Sequence, residues 1–129
     1  MSGLLLDTNA LLWVLTDHRE LGDHTRTLVT TSRPVHFSAV SVLEVTIKLM
    51  LGRLELPAEV SAAAQHAGLT ELPFRAAHAS RLHDFPDLSR HDPFDRMLLA
   101  QALCDDLLLL TSGQHLLGLA MPWVLDARQ

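Results

Sequence analysis

Two runs of this sequence are apolar without a break, Leu4-Leu5-Leu6 and Leu107-Leu108-Leu109-Leu110, each too short for a helix and set apart by long stretches of helical pattern. A strand that is apolar at every position has no face to give to water. Its sheet must be covered on both sides, which parallel strands joined by crossover helices achieve. Residues 35–38 read as another strand, residues 69–72 as a short edge strand and residues 123–125 as a last short strand after Pro122. Helical patterns fill residues 9–15, 21–31, 41–51, 58–67, 75–83 and 93–105, with a loop over 84–91 around Pro86. Gly52 and Gly68 stop two of these helices, and Pro93 opens the last in the tolerated first-turn position. The expected fold class is therefore α/β, with a central, mainly parallel sheet of four to five strands. At 129 residues the chain is one domain's worth, 1–129.

Ligands of such sheets collect beyond the C-terminal strand ends, and acids stand there. Asp7 follows the first strand directly, Glu44 lies one turn into the helix after the second, and Asp92 and Asp95 open the helix before the Leu107 strand. Carboxylates brought within ~4 Å repel by about 4 kcal/mol per pair at an effective dielectric of 20, so the group must bind a cation, take up protons or spread apart. A hard divalent cation, Mg²⁺ or Mn²⁺, suits oxygen ligands and phosphodiester hydrolysis. Structural roles stand beside this one. Ser41 and Glu44 have the spacing of a capping box, and Asp92 is a good N-cap whose helix dipole also favours Asp95. An acid ending an apolar central strand, as Asp7 does, costs desolvation unless it is paired or metal-bound.

Charge sharpens the need for that cation. Fifteen Asp and Glu against ten Lys and Arg leave −5, and Lys48 is the only lysine. Binding nucleic acid by bulk positive charge is excluded, so a phosphate-bearing substrate requires a cation from elsewhere. Arg90 and Arg96 flank the last acid pair and are the best local phosphate contacts, with Arg53 and Lys48 next; Arg96 alternatively pairs with a neighbouring carboxylate. The eight histidines show no zinc spacing, and Asn9 stands where a haloacid-dehalogenase-type phosphotransferase needs its second aspartate. Cys104 is alone, which excludes an internal disulfide and reads as a buried, reduced thiol. No basic leader or membrane span precedes Asp7, so a cytoplasmic protein is expected.

Four segments in register resemble a known family: Leu4-Leu5-Leu6-Asp7-Thr8-Asn9-Ala10-Leu11-Leu12-Trp13, Ser38-Ala39-Val40-Ser41-Val42-Leu43-Glu44-Val45-Thr46-Ile47-Lys48, Gly52-Arg53-Leu54-Glu55-Leu56-Pro57, and His91-Asp92-Pro93-Phe94-Asp95-Arg96-Met97-Leu98-Leu99-Ala100-Gln101-Ala102. Together they resemble a PIN-domain ribonuclease of the VapC toxin type. The resemblance implies a three-layer α/β/α PIN fold and Mg²⁺- or Mn²⁺-dependent cleavage of RNA to 5′-phosphate and 3′-hydroxyl ends. It also implies inhibition by a small VapB-like antitoxin. Asp7, Glu44 and Asp95 match the family's metal-binding acids, and Asp92 is the extra acid of members with the His-Asp-Pro-Phe-Asp form. The departure is Leu110-Thr111-Ser112-Gly113, where Gly113 replaces the usual fourth acid. Thr111 and Ser112 keep hydroxyls there that orient water or phosphate, or simply end the strand, and Asp92 is the acid placed to compensate. The rival reading is a catalytically weakened PIN-like module that acts by binding RNA or the antitoxin.

Residues 11–15 are apolar in sequence, and Val42, Leu43, Val45, Ile47, Leu49, Met50 and Leu51 cover most of the next helix but one. Either these faces are buried in the core, or a surplus face meets a partner helix or a second copy in a homodimer.

Overall fold

A computed structural model of the chain describes residues 3–86 and 92–129. Five strands, β1 (Gly3–Leu6), β2 (Val35–Ser38), β3 (Thr70–Leu72), β4 (Leu107–Thr111) and β5 (Val124–Asp126), form one sheet in the order β3-β2-β1-β4-β5. Every pairing is parallel, with Leu4 opposite Val35 on one side and Leu108 on the other. The helices are α1 (Thr8–Thr16), α2 (Asp23–Thr31), α3 (Ala39–Met50), α4 (Val60–His66), α5 (Ala76–Ser80), α6 (Pro93–Cys104) and α7 (Gln114–Gly118).

The pleat divides the apolar strands between two cores. Leu4, Leu6, Val35, Phe37 and Leu110 face Leu11, Trp13, Val60 and Ala64 on the α1 and α4 side. Leu5, Leu107 and Leu109 face Leu98, Leu99, Ala102 and Leu116 on the α6 and α7 side. Helix α3 joins the layers, for Val45 packs into the first core and Val40 into the second. Strand β1 is central; the chain leaves it toward β2 and β3, then crosses back to β4 and β5. The sheet therefore changes direction between β1 and β4, leaving a crevice at their C-terminal ends.

Several boundaries differ from the sequence expectation. Helix α3 starts at Ala39 and is capped by Ser38, whose hydroxyl accepts from Val40 N at 2.9 Å. Ser41 is thus inside the helix, and the capping-box reading of Ser41 and Glu44 is corrected. The helix expected over 75–83 is α5 followed by a 3₁₀ turn, Arg81–Asp84, and α7 was not foreseen. Cys104 is half-buried rather than buried. The surplus grease is concentrated on α3 and its end, where Leu43, Ile47, Leu49, Met50 and Leu51 are exposed, Met50 by 81%. On α1, Leu11 and Trp13 are buried and Leu12, Val14 and Leu15 partly so. Among the described residues no helix is long and apolar enough to cross a membrane.

A buried polar link ties β2 to α6. Ser38 Oγ donates to Gln101 Oε1 at 2.5 Å, and Gln101 Nε2 donates to Pro73 O at 3.3 Å, with Ser38 and Gln101 both fully buried. Gln101→Leu strands the Ser38 hydroxyl and the Pro73 carbonyl. It should cost about 2 kcal/mol in urea denaturation.

Candidate active site

Asp7 leaves β1 and at once caps α1, its Oδ1 accepting from Ala10 N at 2.7 Å while Oδ2 accepts from the Thr111 hydroxyl at 2.5 Å. Thr111 in turn accepts from Gly113 N at 2.9 Å. Asp7 is 5% exposed. Burial pushes its pKa from 3.8 up to about 6; the Thr111 and Ala10 hydrogen bonds oppose the rise and the Glu44 charge adds to it.

Glu44, on the second turn of α3, is also buried. Its Oε1 accepts from the Thr8 hydroxyl at 2.6 Å and its Oε2 from Lys48 Nζ at 2.9 Å. Thr8 Oγ1 lies 2.9 Å from Ser41 Oγ as well. A hydroxyl has one proton, and Thr8 gives its own to Glu44, so Ser41 donates to Thr8. Ser41 thus positions Glu44 through Thr8 instead of sharing a cap with it.

Asp95 enters from the first turn of α6. Burial pushes its carboxyl up to about 7, the charges of Asp92, Asp7 and Glu44 push the same way, and Lys48 opposes them. Asp7, Glu44 and Asp95 line one cleft of about 240 Å³ together with Lys48, Ser112 and Gly113. Thr8, Asn9 and Leu12 complete the wall, and Asn9 Nδ2 donates to Ser112 Oγ at 2.6 Å. A larger hollow of about 540 Å³ lies near Val14, Arg33 and Leu69, but no acid lines it.

The other expected site residues are placed as follows. Asp92 is exposed and its Oδ1 caps α6, accepting from Phe94 N at 2.8 Å; it acts on the cleft through its charge on Asp95. Arg96 turns away, its Nε and Nη2 donating to Leu82 O at 3.0 and 2.8 Å, so it holds the 3₁₀ turn against α6. Among the described residues it pairs with no carboxylate. Arg90 and His91 lie outside the described residues. Arg53 is exposed in the turn after α3. Thr8 and Asn9 were missed as wall residues, although an Asp-Thr-Asn directly after an apolar strand is the signal that marks them.

Two groups offer themselves to a cation. His78, Cys104 and Asp105 bring their ligand atoms within 4.8 Å of one another. Nδ1 of His78, however, accepts from Arg75 N at 2.9 Å, which puts the ring proton on Nε2, 3.2 Å from Asp105 Oδ1. Nε2 therefore has no lone pair for a metal, and the Arg75 guanidinium, 3.0 Å from the same Asp105 oxygen, already supplies the positive charge. This is a histidine hydrogen-bonded to a carboxylate that Arg75 already ion-pairs. The three cleft acids do not form so tight a group, as like charges dictate, yet their donors are all oxygen and two are held far above the usual carboxylate range. That donor set fits Mg²⁺ or Mn²⁺, which bind one or two carboxylates and keep several waters.

Comparison with known proteins agrees with this fold. The PIN-domain family model matches residues 4–120. A toxin-antitoxin complex from Klebsiella pneumoniae contains a similar chain, 19% identical, with a TM-score of 0.68 over 96% of this chain and 97% of that one. VapBC2 from Rickettsia felis, bound to a DNA fragment from its promoter, gives 12% identity and 0.66 over 96% of each chain. FitAcB from Neisseria gonorrhoeae gives 19% and 0.54 over 85% of this chain and 87% of that one. No curated protein matches the sequence significantly.

Proposed function

This chain belongs to the PIN-domain family, and from that membership we propose that residues 1–129 form a single-domain, metal-dependent endoribonuclease of the VapC toxin type, neutralised by a small VapB-like antitoxin. The observation that carries the reading is the convergence of Asp7, Glu44 and Asp95, from three separate elements, on one cleft at the sheet's change of direction. The similar chains in the Klebsiella pneumoniae toxin-antitoxin complex and in VapBC2 support the toxin role and the antitoxin partner.

Asp7 and Asp95 would hold Mg²⁺ or Mn²⁺ directly and Glu44 through water. When bound, the ion supplies a lowered water pKa and positive charge for the phosphate in an in-line displacement. The chain's own residues prepare this. Thr111 and the Ala10 amide fix both oxygens of Asp7, and Ser41 and Thr8 fix Glu44. Asn9 and Ser112 form a polar wall for an incoming phosphodiester. Asp92 raises the charge density beside Asp95 from outside the cleft. The exposed strip on α3 is the surface for the antitoxin or a second copy in a homodimer.

Sequencing RNA ends from cells induced for the parent or for Asp7→Asn tests the reading. New 5′-phosphate ends with the parent alone support it. No new ends with either protein would leave a module that only binds.

A further inference from the structure

The cleft contains a positive charge of its own, and the structure assigns it a task. We propose, resting on the function above, that this site takes a single divalent cation and that Lys48 is its built-in second positive charge, facing a non-bridging oxygen of the RNA phosphodiester.

Lys48 lines the same cleft as the three acids. It stands one helical turn after Glu44, with Nζ 2.9 Å from Glu44 Oε2 and the side chain 48% exposed, so the ammonium is anchored yet open to a substrate anion. Glu44 is fixed from its other side by Thr8, at 2.6 Å, which holds the carboxylate against the lysine rather than leaving it to turn toward a second ion.

Another lining position carries the complementary omission. Gly113 lines the cleft in extended backbone, φ −79°, that any residue adopts. A Cβ there would meet only Thr111 Oγ1, at 3.3 Å. Nothing in the backbone forbids an acid at 113, and none is present. Three lining carboxylates carry three negative charges, which Lys48 and one divalent ion neutralise. A second ion would leave two positive charges in excess, with no further acid among the described lining residues to hold it.

Titration calorimetry with Mn²⁺ alone, at low salt and without RNA, separates the possibilities. The parent should bind one ion. Lys48→Met, which keeps a good helix former on an exposed position, should bind one ion about tenfold more tightly, ~1.4 kcal/mol, because a competing cation is gone. Lys48→Arg should keep the parent's affinity. Lys48→Met combined with Gly113→Asp should bind two. Cleavage of RNA by Lys48→Met should fall chiefly through a higher KM, despite the tighter metal. Two ions in the parent, or unchanged Mn²⁺ affinity in Lys48→Met, would overturn the role of Lys48 and leave the nuclease reading standing. No Mn²⁺ binding by the parent would overturn that reading as well.

Discussion

Asp7→Asn protein is expected to lose RNA cleavage by about three orders of magnitude and yet, in EDTA near about pH 8, to unfold at a higher temperature than the parent. Both effects follow from the burial of one carboxyl. A group lifted from 3.8 to about 6 costs the native state up to about 3 kcal/mol once ionised, at 1.36 kcal/mol per pH unit. Asparagine keeps an oxygen for the Ala10 amide and removes the charge, so a net gain of roughly 1–2 kcal/mol is expected after imperfect pairing with Thr111. The sign is set by the raised pKa. Below 3.8 the folded and unfolded chains are both protonated and the cost is absent; it grows as pH rises and is complete above about 6. Asp95, lifted to about 7, adds to the same trend. The metal-free parent should therefore lose stability between the acid range and neutrality, and Asp7→Asn should lose less. Thermal melts in EDTA across that range check it. Parallel curves for the two proteins would show that burial of Asp7 stores no such cost.

Gly22→Ala should be the most damaging single-methyl change at an N-cap in this fold. Gly22 has an ordinary φ of −72°, so its glycine is required by space rather than by backbone conformation. A Cβ there would lie 2.0 Å from Gln129 O, 2.1 Å from Gln129 C and 2.4 Å from Arg128 O, all backbone atoms. That backbone caps α2: Gly22 N donates to Ala127 O and Thr25 N to Gln129 O, each at 2.9 Å, and Ala127 N returns to Thr111 O at 2.8 Å. Arg128 Nη1 also reaches Ser112 O at 2.9 Å, and its guanidinium lies over the Trp13 ring. Displacing the tail removes these bonds together with the steric fit. A loss of about 3–4 kcal/mol is expected, measured by urea denaturation, with faster exchange of the Thr25 amide. A variant as stable as the parent would mean the tail is not seated against α2.

The fold was legible because its two strongest strands could have no other environment, and Asp7 was legible because burying an acid at the end of such a strand needs a reason. Asp92 was readable as a cap from Pro93 beside it. The start of α3 was not, because Ser38 both ends β2 and caps the helix, and Val40, being β-branched, reads as a continuation of the strand. With the boundary misplaced, Ser41 seemed to cap and Glu44 to reach back, whereas Ser41 reaches Glu44 only through Thr8, 33 residues away in sequence. The contact that Arg96 makes was hidden for a similar reason: its partner is a backbone carbonyl 14 residues earlier, which no side-chain pattern announces. The pairing of His78 with Asp105 likewise spans 27 residues and exists only once α5 lies on α6.

The hydrogen bond from Thr111 to Asp7 joins residues 104 positions apart. A growing chain that has emerged only as far as α6 has its first acid made and only the Ala10 amide to hold it, because the strand that supplies the Thr111 hydroxyl, β4, comes after α6. Ribosomes add about 5–20 residues per second, so the last cleft residues follow the first by several seconds or more. On the proposed function, the chain has no assembled cleft with which to cut RNA until β4 has been made.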